Sequence, residues 1–205
     1  MARHFDGGPE RRGRIFERQV FSACEDTPEV RQLIAKYWTG NRAVTVGDHQ
    51  VPHLTFEHAI AVAKAAQPKE RTDRPERAAA RIMRELRNAI IEELDERGIL
   101  TITKGDTEIA AVRMYTGQTP VLDEVHGVDG FLEFTDPETQ RAYRVTFDAT
   151  INRAKIAGTQ RASADVVISD LPDAVEESDA YYDALERIAS AASERIEQQR
   201  SSHAA

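Results

Sequence analysis

The apolar period of the chain changes at Gly98, and that change limits the fold more than any other feature. Upstream, Ile82, Met83, Leu86, Ile90 and Leu94 recur at helical spacing. Thr72 or Asp73 can cap this segment and Gly98 supplies a left-handed stop, so the pattern predicts a long helix over 75–97. Downstream the spacing shortens to that of strands. "ILTITKGDTEIAAVRMY" reads as a hairpin turning at Lys104 to Thr107, "GVDGFLEFTDPETQRAYRVTFDAT" as a second hairpin, and "ADVVISDLP" as one more strand ended by Pro172. A last amphipathic helix follows over 178–198, with Tyr181, Leu185, Ile188, Ala192 and Ile196 on its apolar side. This order predicts an α+β or mixed α/β fold, a central mixed β-sheet flanked by helices, with an α/β core over 71–205 and strands between about 99 and 168.

Residues 1–70 read as a helical N-terminal extension of that core. Ile15, Val20 and Phe21 suit a helix from Arg14 to Ala23, which would carry Cys24 at its end as a small buried hydrophobe. Thr27 and Pro28 open a second helix through Val30, Leu33 and Ile34, "RAVTVGD" alternates like a short strand, and Thr55 can cap a helix over "FEHAIAVAKAA". Pro52 lies between His49 and His53, so both are read as loop residues without metal-ligand alignment. "QPKERTDRPE" is the most linker-like segment.

Composition narrows the function. Of 205 residues 40% are hydrophobic, the mean hydropathy is -0.53, and no apolar run approaches the roughly 20 residues of a membrane-spanning helix. No segment of the type that directs secretion opens the chain, and a cytoplasmic protein without a membrane partner is expected. The single cysteine permits neither an internal disulfide nor a multi-thiolate zinc site. GxxxxGK[ST], GxGxxG after a strand, GxSxG and HExxH are all missing, which lowers nucleotide hydrolysis by a P-loop, hydride transfer and serine hydrolysis. Net charge is -8, yet basic residues gather between Lys64 and Arg87 and again between Arg141 and Arg161, while acids dominate from Asp165 onward. A polyanion can meet a local positive surface on such a chain.

What remains is carboxylates on consecutive strands. Alternation puts Asp129, Phe131 and Glu133 on one face of the first strand of the second hairpin, and Thr146, Asp148 and Thr150 on one face of its partner. An acid from each strand can converge on one point, and converging carboxylates suit Mg²⁺. Asp148 interrupts a segment of high strand propensity, and a buried carboxylate needs an arginine, a metal or water.

"GVDGFLEF" and "YRVTFDAT" together resemble the core of the PD-(D/E)XK nuclease superfamily, the restriction-endonuclease-like fold. The resemblance covers about Glu124 to Ile168, with 75–97 as the leading helix and "ADVVISD" as the strand after the crossover. It implies Asp129 and Asp148 as catalytic Mg²⁺ ligands and an auxiliary acid at Glu133 or Glu93. Where the family pattern has a lysine two residues after the second acid, this chain has Thr150, and the resemblance passes the cationic role to Lys155 in "INRAK", with Arg153 as the second candidate. Arg77, Arg81, Arg84, Arg144, Arg153 and Arg161 are the candidate phosphate contacts. The function implied is a Mg²⁺-dependent nuclease or nuclease-like DNA-binding protein, with a homo-oligomer expected. The competing expectation is a non-enzymatic oligomeric assembly or adaptor protein of a virus or mobile element, with the long central and acidic C-terminal helices as contacts.

Overall fold

The computed structural model describes residues 9–40, 42–68, 81–101, 111–151, 163–169 and 171–204. In chain order the elements are α1 (Pro9–Phe21), α2 (Pro28–Tyr37), β1 (Ala43–Val46), β2 (His49–Pro52), α3 (Phe56–Ala65), α4 (Arg81–Glu96), β3 (Val112–Thr116), α5 (Asp123–His126), β4 (Gly130–Thr135), β5 (Ala142–Ala149), β6 (Val166–Ile168) and α6 (Ser178–Ala204). The fold is α+β with a helical N-terminal region, as the change of period predicts. No helix among the described residues is long and apolar enough to cross a membrane.

The main sheet has the order β3-β4-β5-β6. The first two pairings are antiparallel and the last is parallel, so a crossover separates β5 from β6. Both faces are covered. Val112, Met114, Leu132, Phe134, Val145 and Phe147 bury against α4 and α6 on one side. Tyr115 and Phe131 bury against α3 and residues around α5 on the other. The face toward α4 and α6 is apolar throughout β4 and β5, whereas the opposite face mixes Phe131 with Glu133, Arg144, Thr146 and Asp148, so polar groups on that side need partners as the sheet is covered.

Free strand edges are capped by side chains that mimic a neighbouring strand. Gln199 donates to Arg144 O at 2.8 Å and accepts from its N–H at 3.3 Å, and Asp165 accepts from Thr146 N–H at 3.0 Å. Gln67 does the same for Thr116 at the end of β3. Such caps blunt an edge that would otherwise pair with another chain.

Several elements differ from the sequence expectation. α6 runs to Ala204 rather than 198, because Gln199 grips β5 and Arg200 pairs with buried Asp136 at 3.0 Å, so tertiary contacts hold turns that the apolar stripe does not reach. His49 is in strand β2, hydrogen-bonded across the Gly47 turn to β1, whereas His53 follows the strand. Ile99 and Leu100 form a buried bend after α4 and are not a strand; the turn expected at 104–107 lies outside the described residues. α1 ends at Phe21, and Cys24 sits in the following non-helical segment. Asp129 precedes β4 rather than lying within it.

Candidate metal centre

The end of the sheet where β5 finishes and β4 begins gathers acids from three separate parts of the chain. Asp129 is fixed first. Its N–H donates to Phe147 O at 2.9 Å, its carbonyl accepts from Gly117 N–H at 2.7 Å, and its carboxylate accepts from Ala149 N–H at 2.8 Å. The side chain thus takes the place of a ladder carbonyl where β4 has left β5. Asp148 is the next residue after Phe147, the partner of Gly130, so the two acids that strand alternation singled out sit at the same end of the hairpin. They are 4% and 3% exposed respectively, low enough to make their charges costly.

α1 brings the second acid. Its C-terminal Phe21 packs on Gly130, where a Cβ would lie 2.3 Å from the ring, and tilts against Phe147 at a centroid distance of 6.0 Å. Only glycine at 130 lets the helix seat this closely. Glu17 is one turn earlier on the same side, which carries it to the acids at the sheet end.

α5 brings the third. Thr119 O accepts from the N–H groups of Leu122 and Asp123, and Gly127, at φ +66°, closes the turn with its N–H on Asp123 O at 2.7 Å. Carboxylate oxygens of Glu17, Asp123 and Asp129 lie within 4.8 Å of one another. A hard cation bound by oxygens at about 2.0–2.6 Å can sit among donors so spaced, and the donor set fits Mg²⁺ or Mn²⁺ and no thiolate-seeking metal.

Burial and the acids' own fields dominate the electrostatics of Asp123 and Asp129. Burial first, then the fields of Asp123 and Glu17, push the Asp129 carboxyl up to about 9, against the pull of the Ala149 N–H. Burial and Glu124 raise Asp123 to about 6, opposed by its hydrogen bond with Asp129 and by Arg14. Asp148 raises both, so its charge reaches the cluster. Above the cluster opens a cleft of about 810 Å³ whose walls include Arg12, Arg14, Arg18, Gln118, Glu124 and Thr150. Cys24 also lines it, but burial pushes its thiol up to about 12 and its Sγ–H points to Thr116 O, which makes it inert as a nucleophile.

The other residues singled out from sequence lie elsewhere. Glu133 pairs with Lys64 and, at 2.9 Å, with Arg144, which also holds Glu57 at 2.8 Å; this network lies four residues along β4 from Asp129. Glu93 pairs with Arg97 at 2.7 Å on α4 and lines a groove beside α6. Arg81 pairs with Glu85 at the start of α4, and Arg84 is half-buried on the same helix. Lys155, Arg77, Arg153 and Arg161 lie outside the described residues. Glu17 and Asp123 were missed. "TPVLDEVHG" does carry helix punctuation in Thr119, Pro120 and Gly127, but nothing in the spacing of Glu17 brings it to Asp129. No family model, curated protein or solved structure matches the chain.

Proposed function

We propose that this chain is a divalent-cation-dependent phosphodiesterase that acts on DNA, with Glu17, Asp123 and Asp129 as cation ligands and Asp148 as the adjoining acid. The observation that carries the reading is the convergence of three carboxylates, from α1, α5 and the entry to β4, beside a cleft that Glu17 and Asp123 line and whose wall bears arginines. Buried acids whose carboxyls are pushed upward by one another form a site that a cation relieves. The order of elements also supports it: a leading helix, an antiparallel pair with Asp129 and Asp148 at one end, then a crossover to a parallel strand suit the resemblance to the PD-(D/E)XK nucleases. The cytoplasm is the proposed location.

Each residue has a definable task. Ala149 N–H orients the Asp129 carboxylate, and the Phe21–Gly130 contact sets the distance of Glu17 from it. Asp123 takes its position from the Gly117–Gly127 loop and shares a hydrogen bond with Asp129. When bound, Mg²⁺ would supply an activated water and neutralise charge developing on the phosphate. The arginines of α1 attract the phosphate and hold it over the acids.

The test is cleavage of plasmid and single-stranded DNA with and without Mg²⁺ by the wild type, Asp123→Asn and Asp148→Ala. The reading expects Mg²⁺-dependent cleavage that falls at least about a hundredfold in each variant. No cleavage by the wild type, or equal cleavage in all three, would sink it.

A further inference from the structure

Donors as well as acids face the cleft. Arg14 and Arg18 are one helical turn apart on α1, and both line it with Arg12. On the facing loop Gln118 lines it too, between two tightly held neighbours. Gly117 donates to Asp129 O at 2.7 Å, and a Cβ there would come within 2.7 Å of Val128 O, so this loop is pressed onto the strand entry. Thr119, on the other side, anchors the start of α5. Gln118 is therefore set by its backbone, yet its buried Nε2 has no hydrogen-bond partner among the described residues, and neither has Oγ1 of Thr119. The contrast with Gln67 is informative, because both ends of that amide are engaged by Thr116. A buried donor without an acceptor is costly, and on a residue that lines a cleft a small turn of the side chain lets a ligand bring the acceptor.

We propose that Arg14 and Gln118 form a phosphate-binding subsite, their N–H groups donating to the non-bridging oxygens of a nucleic-acid phosphodiester seated over Glu17, Asp123 and Asp129. The inference rests on the cation-dependent reading above, since acids this close repel a phosphate unless a cation lies between them. It also gives a physical account of Thr150, another wall of the same cleft. The positive charge that the nuclease pattern takes from a lysine after the second acid comes here from α1. A guanidinium presents a planar fork that matches two phosphate oxygens, and the neutral amide adds a donor without adding charge.

The test titrates a fluorescein-labelled oligothymidylate with the full chain in Ca²⁺, and titrates Mn²⁺ separately. Arg14→Ala is expected to weaken oligonucleotide binding about tenfold or more and to lower the slope of log affinity against log salt by about one. Gln118→Leu is expected to weaken it about threefold to tenfold. Both keep their melting temperature and bind Mn²⁺, Arg14→Lys recovers part of the loss, and Arg187→Ala, an exposed arginine on α6, binds as the wild type does. Unchanged oligonucleotide binding in Arg14→Ala or Gln118→Leu overturns the subsite, as does an equal loss in Arg187→Ala or a wild type that does not bind. A wild type that ignores Mn²⁺ yet loses oligonucleotide affinity on Arg14→Ala removes the cation reading and overturns the seat over the acids, whereas a wild type that binds Mn²⁺ with unchanged oligonucleotide binding in Arg14→Ala overturns the subsite alone.

Discussion

At the turn end of the β4–β5 hairpin, Asp136 is 1% exposed and fully answered: it accepts from Glu138 N–H at 2.8 Å, Thr139 N–H at 3.1 Å and Arg200 at 3.0 Å. At the open end, Asp129 is as well buried but meets Glu17 and Asp123. Burial would raise both carboxyls. The Thr139 and Glu138 N–H groups and Arg200 overcome it and hold Asp136 below the usual carboxylate range, whereas the neighbouring acids drive Asp129 higher still. Asp129 and Asp136, at opposite ends of one hairpin, are therefore buried under opposite rules. The turn end ties α6 to the sheet, and the open end keeps an electrostatic cost that a cation would relieve.

The contrast can be broken in order of effect. Asp136→Ala leaves Arg200 and two backbone N–H groups without their acceptor and should cost about 3 kcal/mol, a fall in Tm of about 6–12 °C for a chain of this size. Because the folded carboxyl lies below its unfolded value, this contribution is present at neutral pH and fades as pH falls below about 4. Thermal melts of wild type and variant should converge in acid; a constant gap down to low pH would show that the loss is packing rather than charge.

Gly130→Ala drives a methyl into the Phe21 ring and should cost about 1–3 kcal/mol by overpacking. It should also weaken Mn²⁺ binding, because α1 must move and Glu17 moves with it. Normal Mn²⁺ affinity in this variant would show that Glu17 is no ligand.

Asp129→Asn should act with the opposite sign, raising stability by about 1 kcal/mol near pH 8 in metal-free buffer. The folded carboxyl lies above its unfolded value, so the wild type binds more protons folded than unfolded and loses stability as pH rises from about 4 towards 9. Asparagine needs no proton and can still accept from Ala149 N–H, so the gain should vanish near pH 4. A variant less stable than the wild type across that range would mean that the acids are already compensated. Glu133→Gln, in the partly buried network with Lys64 and Arg144, keeps an acceptor for both and should cost only about 1 kcal/mol and leave cation binding untouched.

The hairpin and its two acids were legible because Asp148 interrupts a segment of high strand propensity and Asp129 stands at the start of its partner strand. The mixed sheet followed from a long helix giving way to strands. Other features depend on contacts that one-dimensional patterns do not carry. Gly130 gives no hint that Phe21 will stack on it, so Glu17 remained one charge among many in an arginine-rich helix. Asp123 lies in a stretch to which the sequence pattern assigns no element, because α5 is a single turn, too short for periodicity to show. Glu133 and Glu93 are attractive as acids on or near the core; the cross-strand pairing of Glu133 with Arg144 is legible in the hairpin and Arg97 lies four residues from Glu93, whereas Lys64 comes into range of Glu133 only on folding.

The open end of the hairpin is tested most directly by calorimetric titration of Mn²⁺ into wild type and Asp129→Asn at about pH 8, with Asp136→Asn as the control from the turn end. The account predicts one ion per chain in the wild type and the control, with affinity that rises with pH as protons leave the cluster, and no binding in Asp129→Asn. Equal binding in Asp129→Asn, or none in the wild type, would contradict it.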